Sequence, residues 1–344
     1  LERAFSGFKK AFLRDFCMAK ANPKDLFKNN TKGNTSDGAP QVVDLNLDKV
    51  KSVSDLVTAF GLSGFQSSSL ADAVRVIEEM KKDKDCIVYF GFTANLIASG
   101  LRGVVTELCK KKIIDVVVTT AGSLEHDLIK HYKPYLKGDF DLDDNALHKQ
   151  GINRIGNVLV PSDRYVVLEE KIKPIFTKML ASGKAISPSG ISKEIGLTLG
   201  EDSFQYWCSK NNIPVFCPGI TDGALGLQMY FFKQDHKDFS VDVTADMKTL
   251  ADITLNAEKT GAIILGGGIT KHHIIGANIV RDGLNYAVYF TTASEFDGSL
   301  SGARPKEAKS WGKISASSKT ATVYGDATIT FPIVVKALKE RGAL

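Results

Sequence analysis

Twice in succession a short apolar run passes through a turn of small residues into a segment with helical periodicity, and that alternation leaves the chain very few architectures. Cys86 to Phe90 is a run of the kind a buried parallel strand requires, and Leu96 to Lys110 behind it is patterned as a helix. Ile113 to Thr119 repeats the strand pattern and Ser123 to His131 the helix. Further strands are expected at Asn157 to Val160, Pro214 to Cys217, Ala262 to Leu265, Ala287 to Thr291 and Thr320 to Tyr324. Helices are expected at Leu70 to Lys82, capped by Ser67 to Ser69, and at Tyr165 to Leu180, Thr244 to Lys259 and Ala327 to Glu340. The pattern predicts a doubly wound α/β fold: a mostly parallel, Rossmann-like sheet with helices on both faces.

In front of this region, Phe5, Phe8, Phe12 and Phe16 recur at helical spacing, and residues 29–40 are polar and rich in Asn and Gly. The expected organisation is an N-terminal helical extension with a flexible connector over residues 1–45, then a single domain over residues 46–344.

In doubly wound sheets ligands bind beyond the carboxyl ends of the strands. Small and polar residues gather at those places: Thr93 to Asn95, Thr119 to Gly122, Thr221 to Gly223, Gly266 to Gly268, Thr291 to Ala293 and Gly325 to Ala327. Such turns suit a phosphate at a helix N-terminus and a ribose on an aspartate, although no GxGxxG fingerprint is present. Glu295 to Lys313 is a second concentration of chemistry, with acidic, small and aromatic residues around one lysine. An indole beside Lys313 favours a neutral, nucleophilic amine, and Trp311 with Glu307 also suits a cationic amine ligand. By residue type alone, a loop lysine is more often a solvated surface group and a lone tryptophan more often core.

The run EFDGSLSGARPKEAKSWGKI, with LGGGITKHHI (Leu265 to Ile274), resembles the deoxyhypusine synthase family. The likeness continues in FGLSGFQ (Phe60 to Gln66), FTANLIASG (Phe92 to Gly100), VTTAGSLEHDLIK (Val118 to Lys130), INRIGNVLVP (Ile152 to Pro161) and PVFCPGITDGALG (Pro214 to Gly226). It implies an NAD-dependent transfer of the aminobutyl group of spermidine to a lysine of the translation initiation factor 5A precursor. By the same resemblance Asn95, Thr120, Ala121, Gly122, Asp222, Thr292, Ala293, Asp326 and Ala327 contact NAD. Glu125, Gly267, Gly298, Ser299, Glu307 and Trp311 contact the amine, His272 assists, and Lys313 carries the fragment covalently. Homospermidine synthase, which transfers the same fragment to putrescine, is an alternative within the resemblance.

The chain departs from the family where acids are expected: Leu227 follows Thr221 to Gly226, Leu300 stands within Gly298 to Ser301, and His126 follows Glu125. Each charge-assisted contact is worth about 1.5–3 kcal/mol, so two leucines for carboxylates weaken the grip on a polycation about a hundredfold or more. The expectation is a heterotetramer in which a paralogue completes or activates the site, or in which this chain is a catalytically impaired regulatory subunit. A net charge of +5 with lysines interspersed among acids gives no nucleic-acid footprint. Five scattered cysteines without CxxC, and His272 beside His273 without ligand spacing, indicate neither disulfides nor a metal site. A cytoplasmic protein without membrane contact is expected.

Overall fold

The computed structural model describes residues 41–344. The helix expected over Phe5 to Ala19 and the connector over residues 29–40 lie outside the described residues. Residues Asp44–Leu344 form one compact unit.

Its centre is a six-stranded sheet of β1 (Cys86–Gly91), β2 (Val116–Val118), β6 (Val215–Phe216), β7 (Lys259–Leu265), β8 (Leu284–Thr291) and β9 (Ile314–Tyr324). The spatial order is β6-β2-β1-β7-β8-β9, with every neighbouring pair parallel. In chain order these strands stand third, second, first, fourth, fifth, sixth, so the winding reverses between β1 and β7. All six carboxyl ends share one edge, and the reversal opens a crevice there.

Side-chain alternation divides the core between two faces. Val88, Phe90, Val117, Ile263, Leu265, Val288 and Phe290 face the helices Phe65–Lys82, Arg102–Lys110, Phe204–Asn211 and Ala327–Glu340. Phe331 stacks 5.6 Å from Phe90 and meets Phe290 edge-on at 5.5 Å. Full burial contributes about 1.5–3 kcal/mol for each such ring. Tyr89, Val118, Ala262, Ile264, Ala287 and Tyr289 point the other way, towards the helices Val243–Asn256, Ile269–Ala277 and Pro305–Lys309.

Several expectations are corrected. The strand foreseen at Asn157 to Val160 is β5 (Val158–Pro161), which lies outside the parallel sheet. It joins β3 (Leu136–Lys137) and β4 (Ile152–Ile155) in a separate antiparallel sheet. Gly156, at φ 59°, and Asn157 close a tight hairpin that only an antiparallel pair can use. The helix foreseen over Leu96 to Lys110 is two helices, Ala94–Ala98 and Arg102–Lys110, interrupted where Ser99 turns extended. Lys130 ends the first by donating to the carbonyls of Ile97, Ala98 and Ser99.

Ser67 and Ser68 do not cap the Phe65–Lys82 helix. They lie in its first turn and donate back to Gly64 and Phe65. The helix foreseen to Lys259 ends at Asn256, because Lys259 already pairs with Asp83 and opens β7. Among the described residues, no helix is long and apolar enough to cross a membrane.

Candidate functional site

The rim of carboxyl strand ends carries the first half of the site. Asn95, Gly266, Thr292, Asp326 and Ala327 line one cleft of about 250 Å³ beside the winding reversal. Thr93 Oγ1 donates to Asn95 Oδ1 at 2.6 Å, and Asp326 caps the Ala327–Glu340 helix by accepting from Thr328 N at 2.8 Å. Ala293 follows, its N–H donating to Thr291 Oγ1. Thr120 and Ala121 begin the next helix towards the sheet edge, and a Cβ on Gly122 would stand 2.7 Å from the Ala94 Cβ, so these two rim turns touch.

The rim suits a dinucleotide. Thr120 Oγ1 is buried without a hydrogen-bond partner among the described residues at the N-terminus of the Ala121–Tyr132 helix, where an acceptor would satisfy it. Gly266, at φ 86°, holds the β7 turn in a conformation that leaves backbone exposed to a ligand. Two long helices, Ala121–Tyr132 and Ala327–Glu340, end positively at this edge. Asp222 follows edge strand β6 beside the Thr120–Gly122 turn, a Cβ on Gly223 standing 3.3 Å from the Ala121 Cβ, whereas Asp326 follows the opposite edge strand β9, about 24 Å from β6 at roughly 4.8 Å per strand.

The second half lies on a face of the sheet. From Thr292 the chain leaves the rim, crosses the face without regular structure, forms the Pro305–Lys309 helix and reaches Lys313 through the Gly312 turn at φ 66°. Lys313 immediately precedes β9, and its carbonyl accepts from Leu284 N at the start of β8, so its backbone stands at the amino edge. Its side chain lines a narrow pocket of about 30 Å³ with Lys271, Tyr289, Leu300, Glu307 and Trp311.

Lys313 Nζ lies 5.2 Å from the centre of the Trp311 ring. The desolvation expected from the indole is incomplete, because Trp311 is itself 59% exposed and walls only one side of the amine. Glu307 is exposed at the mouth, and Leu300 fills the position where the family resemblance calls for an acid. Gly267 connects pocket to rim: a Cβ there would stand 2.3 Å from the Ser301 Cα.

Other predicted residues fall elsewhere. His272 is exposed on the Ile269–Ala277 helix and does not line the Lys313 pocket. Gly298 and Ser299 sit in the exposed crossing segment, where Ser299 N donates to Asp297. Glu125 is buried and accepts from Leu225 N at 2.7 Å, serving the start of the Ala224–Asp235 helix rather than the lysine pocket. Burial pushes its carboxyl above the usual range. His126 is buried against the Tyr135 hydroxyl at 2.8 Å, and burial with the Lys130 charge pushes it down to about 4. Leu227 is half exposed in a separate groove beside Tyr230 and Val243.

Lys271 and Tyr289 were not singled out from the sequence. Lys271 is 1% exposed, its Nζ 4.3 Å from the Tyr289 ring centre, and the Tyr289 hydroxyl has no partner among the described residues. Burial pushes the Lys271 amine down to about 8 against the opposing pull of Glu307. The available signal is a lysine in the first turn of the helix that directly follows three glycines.

Residues 55–338 match the family model described as deoxyhypusine synthase. A relative from Methanocaldococcus jannaschii, assigned as a deoxyhypusine synthase, is 46% identical over 290 residues, covering 79% of this chain and 88% of its own. The deoxyhypusine synthase of Senecio vernalis is 43% identical over 312 residues, covering 82% and 84%. A crystal structure from Entamoeba histolytica, assigned to the same enzyme, superposes with a TM-score of 0.64 at 26% identity over 86% of this chain and 96% of that one.

Proposed function

The chain belongs to the deoxyhypusine synthase family, and from that premise we propose that it is a subunit of an NAD-dependent aminobutyl transferase acting on spermidine and the translation initiation factor 5A precursor. Residues 46–344 would form its catalytic domain, residues 1–45 an extension, and the cytoplasm its setting. The observation that supports this most is the shared pocket of Lys313, Trp311 and Glu307, joined to the rim through Gly267 and Ser301.

In this reading Asn95, Thr120 to Gly122, Thr292, Ala293, Asp326 and Ala327 would hold NAD, with Asp222 on the turn beside Thr120 to Gly122. Bound there, NAD would supply the hydride acceptor for the amine-bearing carbon of spermidine and the hydride donor after transfer. Glu307 pairs with a substrate ammonium and Trp311 walls its methylenes. Gly267, Gly298 and Ser299 shape the amine's path, Glu125 supports the neighbouring helix, and His272, exposed outside the Lys313 pocket, assists proton movement. Once deprotonated, the Lys313 amine attacks the oxidised substrate carbon, diaminopropane leaves, and the aminobutylidene fragment stays as an imine on Nζ until the acceptor lysine displaces it.

Because Trp311 is open on one side and Leu300 lines the pocket, a paralogue in a heterotetramer is proposed to supply the missing wall and carboxylates. Reductive trapping with labelled spermidine and NAD, on the chain alone and with its paralogue, tests the reading. Mass spectrometry is expected to place the label on Lys313 and to lose it in Lys313→Ala. A label absent from Lys313 in every assembly overturns the proposal.

Leu300 in the pocket and exposed Leu227 also favour a second reading, a regulatory subunit that activates a partner without turning over. Unchanged turnover by the assembled complex carrying Lys313→Ala would establish it. Homospermidine synthesis is separated by whether label from spermidine passes to the protein acceptor or to putrescine.

A further inference from the structure

Lys271 spends a buried charge where a methionine would pack as well. Its ammonium donates to the Leu300 carbonyl at 2.8 Å and to the Ala303 carbonyl at 2.5 Å while resting on the face of Tyr289. Desolvating an ammonium is expensive, so such a group is worth keeping only where its hydrogen bonds fix something that apolar packing cannot. What they fix is the crossing segment between β8 and the Pro305–Lys309 helix, which has no strand or helix of its own. Within the turn the remaining ties are Gly302 N to Ser299 O, Ala303 N to Leu300 O, and Thr291 Oγ1 to Ser301 O, and directly after it Arg304 donates to the Tyr324 hydroxyl and pairs with Glu295.

Lys271 also belongs to the helix that starts at the rim directly after Gly268. One side chain thus links the rim turn, where the dinucleotide is proposed to bind, to the wall of the pocket holding Lys313. Transfer of a fragment between two fixed centres is sensitive to displacements of about 1 Å, which can cost about a hundredfold in rate.

We propose that Lys271 is a positioning residue: its ammonium clamps the Leu300–Ala303 turn and so sets the separation of the Lys313 pocket from the rim. Its role in transfer rests on the function proposed above, whereas the clamp itself does not.

The test uses the full chain, with its paralogue if one is required, carrying Lys271→Met or Lys271→Arg. Hydrogen exchange across residues 299–304 reads the clamp, NAD titration reads the rim, and the rate of reductive trapping on Lys313 at saturating spermidine reads positioning. In Lys271→Met, exchange over residues 299–304 should rise about tenfold with NAD affinity held within about twofold. Trapping should slow about tenfold or more without relief at higher spermidine, and Lys271→Arg should restore protection and part of the rate.

Unchanged exchange in Lys271→Met overturns the clamp. Raised exchange with an unaltered trapping rate overturns the positioning role. If the wild-type protein binds NAD but traps nothing on Lys313, the aminobutyl transfer reading fails, while exchange in the variants still decides whether Lys271 holds the turn. Should Lys271→Met not fold, wild-type-like exchange and trapping in Lys271→Arg support the proposal, and loss of protection there overturns it.

Discussion

Gly267 and Ser301 approach so closely that a Cβ on the glycine would stand 2.3 Å from the Ser301 Cα and 2.7 Å from its Cβ. The backbone atom cannot yield as a flexible side-chain tip would. Gly267→Ala should therefore push the crossing segment off the face, costing about 1–3 kcal/mol of stability. Urea unfolding measures the loss, and weakened amine binding with retained NAD binding locates it.

Leu300 lines the lysine pocket with its side chain, while its carbonyl is engaged by Lys271. Leu300→Asp adds a carboxylate without removing that backbone contact. Spermidine should bind about tenfold to a hundredfold more tightly in the presence of NAD, as one charge-assisted contact of about 1.5–3 kcal/mol implies. Calorimetric titration decides, and unchanged affinity would indicate that the new carboxylate is taken up by the neighbouring Lys271 ammonium.

Asp127 is fully buried and satisfies Arg102 Nε at 2.7 Å, Ser203 Oγ at 2.6 Å and Gln205 N at 3.1 Å. Removing it leaves Arg102 with Asp202 as its remaining carboxylate and strands the buried Ser203 and Gln205 donors. Asp127→Ala should lose about 3–5 kcal/mol, the cost of breaking one side of a buried pair. Chemical denaturation gives the value, and a loss below about 1 kcal/mol would contradict it.

His126 titrates at about 4 in the fold against 6.5 in its ordinary state. Between those values the unfolded chain binds more protons, so stability is complete above pH 6.5 and falls as pH drops towards 4. The contribution reaches about 3 kcal/mol at about 1.4 kcal/mol per unit. Glu125, raised by burial, acts in the opposite sense, so the comparison must be between wild type and His126→Gln. The variant's denaturation midpoint should vary less between pH 7 and pH 5, and identical pH slopes would refute the assignment.

The alternation of strands and helices, the helix Ala327–Glu340 and the chemical character of the six rim turns were legible along the chain. Apolar period, turn residues and caps act over a few neighbouring positions, and the sequence displays them directly. The motif around Lys313 likewise placed Glu307, Trp311 and the lysine together, because they share one short segment.

Tertiary structure decided the rest: the reversal between β1 and β7, the departure of β5 into its own antiparallel sheet, and the diversion of Glu125 to a helix start. It also set Lys271 against Leu300 and Ala303, 29 and 32 positions away. Those outcomes depend on which distant segment supplies the hydrogen-bond partner or the apolar cover. A side chain's local pattern states what it needs, but only the packed fold brings the group that meets that need.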